Sequence, residues 1–239
     1  MSKFLFLAFA VILFHSSCQV VGGKRVRGNG NIISETRKIR DFKDLDVSGN
    51  FEVELSQDSV PSLVIETDDN LRPFIDIHQE GDLLVIGTRN GYSLKPSHRL
   101  VIHLSGNSFR AISASGASNI VGKTKIGNGQ ALSFDLSGAC ELNMPVMAEK
   151  LDLQATGACE ISLKGETKDV KIDASGATDI RCFELMAENV DISLSGAGEA
   201  EVFASVSLKA STSGAGDIRY KGDATVEKSI SGAGSIKKE

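Results

Sequence analysis

The chain has no tryptophan, two tyrosines, four prolines and four histidines among its 239 residues. With Tyr92 and Tyr220 as the only phenols, the aromatic platforms that sugar-processing clefts use are nearly missing. There is no H-E-x-x-H, G-x-S-x-G or C-x-x-C, so the zinc-protease, serine-hydrolase and zinc-ribbon or thioredoxin signatures are absent. The G-x-G fragments lack the third glycine of a dinucleotide fingerprint and read as turns. A formal net charge of −5 offers no basic field to nucleic acid. Beyond residue 14 no apolar run is long enough to cross a bilayer as a helix. Of His78, His98 and His103, only His103 suggests a nucleophile's partner, and no catalytic residue is assigned.

What is present begins with an export signal. Lys3 precedes an apolar run from Phe4 to Phe14, the length of a signal-peptide core. Residues 1–17 read as that signal. His15-Ser16-Ser17-Cys18 resembles a bacterial lipobox, with His15 where leucine is usual, so Cys18 is the expected acylated N-terminus. The alternative is an ordinary cleaved signal with an incidental cysteine. Residues 18–30 then form a lipid-anchored tether, whose Lys24, Arg25 and Arg27 add a small attraction to anionic lipid.

Glycine is abundant, 24 residues, and much of it is periodic. Ser-Gly-Ala or Thr-Gly-Ala recurs with its glycine at Gly116, Gly138, Gly157, Gly176, Gly196, Gly214 and Gly232, in steps of 22, 19, 19, 20, 18 and 18 residues. A fixed period near twenty marks stacked units, none of which buries a core alone. Both flanks alternate apolar with polar, as in Leu151, Leu153, Ala155 before the motif and Ile161, Leu163 after it. That is the signature of strands buried on one face. Glycine between them suits a corner needing positive φ or close backbone approach. Each repeat is thus strand, corner, strand and a variable stretch such as KGETKD (164–169) or FELMAEN (183–189). Stacked coils make an all-β, single-stranded parallel β-helix, with strands about 4.8 Å apart. A looser period of 18–22 points to the right-handed type. The β-helix domain spans 31–239, with regular coils over 108–239 and irregular, wider coils over 31–107; a separate N-terminal β-domain is the alternative for the latter.

Two columns follow from the stacking. Ser118, Cys140, Cys159 and Thr178 point inward, which places two thiols one rung apart, either as free buried thiols or as a disulfide. One residue further on, Glu141, Glu160, Asp179, Glu199 and Asp217 point outward. They read either as a solvated edge that discourages aggregation or as a stripe for weak Ca²⁺ or a cationic partner, with carboxyl pKa values raised by mutual repulsion. No other cofactor is expected.

RGNGNIISETRKIRDFKDLDVSGNFEVEL (27–55), TDDNL (67–71) and the Ser-Gly-Ala coils resemble the "putative auto-transporter adhesin, head GIN domain" family of exported bacterial proteins. The resemblance implies a right-handed β-helix, often on a lipoprotein, and brings no catalytic residues. The combined expectation is a non-enzymatic outer-membrane lipoprotein in the envelope of a Gram-negative bacterium. It would present an extended surface for binding or adhesion to an envelope or host-surface protein or glycan. The rivals are a polysaccharide-processing β-helix enzyme and a structural or signalling envelope protein without an external ligand.

Overall fold

Alternating side chains and glycine corners assemble as the period requires. A computed structural model describes residues 23–127 and 129–239; the signal segment and Cys18 lie outside the described residues. The strands are β1 (Lys24–Arg27), β2 (Ile32–Arg37), β3 (Asp44–Gly49), β4 (Glu52–Gln57), β5 (Ser62–Asp68), β6 (Ile75–Glu80), β7 (Leu83–Thr88), β8 (Tyr92–Lys95), β9 (Val101–Gly106), β10 (Ala111–Gly116) and β11 (Asn119–Gly122). They continue as β12 (Ala131–Gly138), β13 (Glu141–Gly157), β14 (Glu160–Gly176), β15 (Asp179–Gly196), β16 (Glu199–Gly214), β17 (Asp217–Lys221), β18 (Thr225–Gly232) and β19 (Ser235–Lys238). The result is a parallel β-solenoid of about seven turns.

From β10 onward each coil lies on the previous one in register, so that Gly116, Gly138, Gly157, Gly176, Gly196, Gly214 and Gly232 form one line. Gly49 of β3 continues that line on the other side of Gly116. Two physical demands meet at the corner. Gly176 has φ +102°, and a Cβ there would sit 2.4 Å from the carbonyl oxygen of Gly157. That same oxygen accepts a 2.8 Å hydrogen bond from the Ala177 N–H, so the backbone cannot retreat without breaking the rung. Positive φ and an occupied space together exclude every side chain. The inward column also has a role at the corner. Ser118 Oγ donates to Ser115 O at 3.3 Å, Cys140 Sγ to Ser137 O at 3.3 Å and Thr178 Oγ1 to Ser175 O at 3.5 Å. Each side chain thereby satisfies a carbonyl at the turn it helps to make. Cys140, Cys159 and Cys182 are free and buried.

The variable stretches are strand too. KGETKD and FELMAEN lie inside the 17- and 18-residue runs β14 and β15, with register shifts near Cys182–Met186 that absorb the unequal coil lengths.

The N-terminal third is built differently. The β3–β4 pair lies between β7 and β9 on one side and β10 and β11 on the other, so consecutive coils of the stack are not consecutive in sequence. Where wider coils are expected over 31–107, β2 runs antiparallel to β5, β5 antiparallel to β9, and β6 antiparallel to β7. The turn residues Glu80-Gly81-Asp82 reverse the chain directly into a hairpin, with Gly81 at φ +62°. No boundary divides the interior: Phe42, Phe51 and Phe134 belong to one apolar cluster with the later coils.

Within the stretch 18–30 expected as a tether, the described residues include strand β1. Lys24–Arg27 pair in parallel with Tyr92–Lys95, and Gly23 lies so near Gly91 that a Cβ would meet its backbone at 3.0 Å. Glycine spacing here serves close backbone packing, which composition alone reads as flexibility.

Candidate functional site

Three surface arrangements bear on function. The first is the acidic column. Glu141, Glu160, Asp179, Glu199 and Asp217 are exposed and paired rung by rung, as their spacing requires. The column two residues along supplies cations. Arg181 pairs with Glu160, and Arg219 reaches Glu199 at 2.9 Å and Glu201 at 3.2 Å. Asp217 accepts a 2.7 Å hydrogen bond from Ser235 Oγ, which holds its carboxyl below the usual carboxylate range. The expected upward shift is therefore reversed at Asp217, because a direct donor outweighs repulsion along the line. Among the described residues, no three carboxylate, imidazole or thiol groups converge where a metal ion would sit.

The second is the block of sequence that carries the family resemblance. Asp68 is fully buried, and its carboxylate accepts hydrogen bonds from Gly30 N–H at 2.7 Å, Ser97 N–H at 2.9 Å and Ser97 Oγ at 2.5 Å. Burial pushes its pKa up, but these donors outweigh burial and the net shift is downward. Asn29 and Asn31 donate to Asp69 at 2.7 and 2.8 Å, and Asn70 donates to the Arg27 carbonyl at 2.8 Å. A Cβ on Gly28 would fall on the Asp68 carboxylate. RGNGN and TDDN thus form a clasp that locks the first strands onto the fold.

The third is a groove of about 650 Å³ that runs along the solenoid axis across successive coils. Its floor is aliphatic, made by Leu132, Leu151, Val170 and Val190, each at most 5% exposed. One rail is the stacked set Lys150, Asp169, Asn189 and Ser207. There Asn189 Nδ2 donates to Asp169 at 2.9 Å and Ser207 Oγ donates to Asn189 at 2.7 Å. The other rail is Asp152, Lys171, Asp191 and Lys209, alternating in sign from rung to rung. Lys171 also pairs with Asp173 at 2.6 Å, and these carboxylates raise its pKa. At one end Arg110 is held by Asp44. The rails nearly balance in charge, so the groove exerts little net field. Sequence reading missed it. These residues are the polar half of the strand before each glycine corner, and nothing local says that this half borders a depression.

His103 lies outside the groove, with Nδ1 2.9 Å from Glu54 and Nε2 3.8 Å from Glu66; Lys123 pairs with the same Glu54 at 2.8 Å and is the main cause of its lowered pKa. None of the described histidines lines the groove.

A parallel solenoid with a capped end and a lengthwise groove defines a repeat protein with an extended surface. The chain belongs to the family described as "Putative auto-transporter adhesin, head GIN domain", which matches residues 41–224. Solved structures agree on the fold. A putative adhesin from Bacteroides fragilis NCTC 9343 superposes with a TM-score of 0.85 at 21% identity, over 90% of this chain and 100% of that one. A putative adhesin from Parabacteroides merdae ATCC 43184 gives 0.70 at 22% identity, over 91% and 100%. A putative lipid binding protein from Parabacteroides distasonis ATCC 8503 gives 0.72 at 25% identity, over 90% and 100%. The chain matches no curated protein. Membership in an adhesin family implies an exported, cell-surface protein.

Proposed function

We propose that the protein is a non-enzymatic envelope lipoprotein, anchored through Cys18 to the outer membrane, which binds an elongated protein or glycan of the envelope or host surface along the coils. The groove carries this reading. It spans several coils, its floor is apolar, and the rail Asp152, Lys171, Asp191, Lys209 alternates acceptor and donor at the rung spacing of about 4.8 Å. A linear chain laid along the axis would meet the same pattern repeatedly, and near-neutral rails suit a ligand of low charge.

The test is titration of purified protein against fractionated envelope glycans and extended peptides, with Ala131→Trp and Ser207→Arg placed to fill the groove. Saturable binding without turnover, lost in both variants at unchanged melting temperature, is expected. Turnover of any bound glycan would sink the non-enzymatic reading. Mass spectrometry of envelope-purified protein should find diacylglycerol on Cys18, and Cys18→Ala should release the protein to the soluble fraction.

A second reading has its own observation. The floor is aliphatic and has no aromatic ring, which suits an acyl chain better than a stacked sugar, and one similar structure is that of a putative lipid binding protein. Binding of fatty acid in place of glycan, blocked by the same two substitutions, would favour it.

A further inference from the structure

The repeat departs from its own pattern at one corner. Every later corner glycine is followed by alanine and then by a small residue, as in Ala117-Ser118, Ala139-Cys140 and Ala177-Thr178. After Gly49, which stacks on Gly116, the same two places hold Asn50 and Phe51. In the acidic column an amide, Asn119, stands between Glu52 and Glu141. These changes border a pocket of about 560 Å³ that shares no lining residue with the groove.

The opposite wall of the pocket is the segment 94–100, and the clasp holds it in place. Ser97 is turned away from the pocket, its N–H and Oγ both donating to the buried Asp68. The Lys95 carbonyl accepts a 2.9 Å hydrogen bond from the Gly28 N–H, and the Leu100 carbonyl accepts one of 3.1 Å from the Glu52 N–H. Pro96 restricts the backbone between them. A wall fixed from behind is organised before a ligand arrives.

The pocket has an apolar side and a polar rim. Buried Phe51 and Leu100, with Leu94 and Pro96, make the apolar side. On the rim Arg99 is committed to Glu52, through Nε to one carboxylate oxygen and Nη2 to the other. Lys95 has no carboxylate partner among the described residues, so its ammonium is the uncompensated charge. His98 meets Ser97 Oγ through Nδ1 at 3.2 Å and leaves Nε2 unpaired. The amides of Asn50 and Asn119 make no side-chain hydrogen bond among the described residues, and Asn119 Oδ1 is buried as well. Burial without a partner is a cost that a bound donor removes. No protein contact fixes which end of that amide faces the pocket.

We propose that this pocket binds an acidic sugar residue, with its carboxylate on Lys95 and its hydroxyls on Asn50 and Asn119. A single unpaired ammonium answers a singly charged carboxylate. Sugar hydroxyls both donate and accept, as the two ends of an amide do. The ring's C–H face covers the apolar side, and the volume lies in the range of small-molecule sites. The site is independent of whatever the groove binds.

Amide chemical shifts followed during titration with glucuronate, glucose and acetate test the proposal. Glucuronate should shift Asn50, Arg99 and Asn119 saturably, and glucose and acetate should each bind about 10-fold more weakly or worse. Lys95→Met should weaken glucuronate about 10-fold and leave glucose unchanged, while Lys95→Arg keeps most of the affinity. Asn119→Ala should weaken both sugars without lowering the melting temperature. Ala131→Trp, which fills the groove, should change none of this, so failure here and failure of the groove reading are told apart. The proposal is overturned if glucuronate gives no saturable shift, or if acetate or glucose binds as well as glucuronate. It is equally overturned if Lys95→Met leaves glucuronate binding intact, or if Ala131→Trp abolishes it. The comparison of the three ligands on wild type decides the matter even where a variant fails to fold.

Discussion

At one end of the solenoid the sheet turns antiparallel, and large rings fill the interior. Phe42 and Phe109 meet edge to face at 5.7 Å, and Phe51 is 2% exposed. At the other end every pairing is parallel, and the interior narrows to Ala200, Ala204 and Ala210. The first end satisfies its edge with β2, β5 and β6 and with the Asp68 clasp, so stability there depends on a few particular contacts. The second repeats one solution, glycine corner on glycine corner. A repeat can tolerate loss of a unit but not loss of the element that makes units stack; a cap is the reverse.

Substitution at a glycine corner tests this contrast most severely. Gly176→Val forces a branched side chain into positive φ and against the Gly157 carbonyl, and should cost about 4 kcal/mol or more, enough to unfold the coils. Gly91 in the capping region also has positive φ, +82°, but has nothing within 4 Å of a Cβ. Gly91→Ala should therefore cost only about 1 kcal/mol. Thermal melts followed by circular dichroism separate the two, and equal losses would show that close stacking does not govern the corner.

Asp68→Ala comes next. It leaves the donors of Gly30 and Ser97 without their acceptor, at a cost of roughly 3 kcal/mol, while Asp68→Asn should cost less. The pH dependence follows from the lowered pKa. The clasp's contribution is complete above the unfolded value near 3.9, and is lost as pH falls through the lower folded value. Hydrogen exchange should show the residue 24–37 amides opening in acid before those of β14 and β15. Simultaneous opening would mean that the cap and coils are one cooperative unit.

Deleting a coil should be milder. Removing Ser175 to Leu194 joins Ala174 to Ser195, which takes the place of Ser175, the residue on which it is already stacked. The shortened protein should melt cooperatively, about 5 °C lower, equivalent to ~2 kcal/mol for a chain of this size. A non-cooperative melt would show that the register shifts of β15 are needed by its neighbours.

The smallest effect concerns the acidic column. Because Arg181 and Arg219 already pair with it, millimolar Ca²⁺ should move the wild-type melting temperature by less than ~1 °C. Arg181→Gln with Arg219→Gln should make the response visible. A strong wild-type response would show that a cation competes successfully with the arginines.

The coils were readable because their information is local. Alternation around Ser-Gly-Ala gives strand and facing, and a period near twenty gives stacking, so the inward Cys140 and Cys159 and the outward Glu141 to Asp217 fall where counting puts them. The capping region was only partly readable. Alternation over residues 62–67, 74–78 and 83–88 marks strands close to the observed β5, β6 and β7, but alternation is the same in parallel and antiparallel partners, so it hides direction. TDDN has the residue types of a turn, and only its neighbours reveal a clasp.

The sequence by itself determined the class of fold, the glycine line and the inner and outer faces, because each depends on residues within one coil length. Tertiary structure alone decided that β3 and β4 lie between strands that follow them in the chain. It decided that the acids meet arginines from the next column and that two polar rails enclose an aliphatic floor. These depend on side chains brought together from different coils, and on how far each backbone bends before the next is laid upon it.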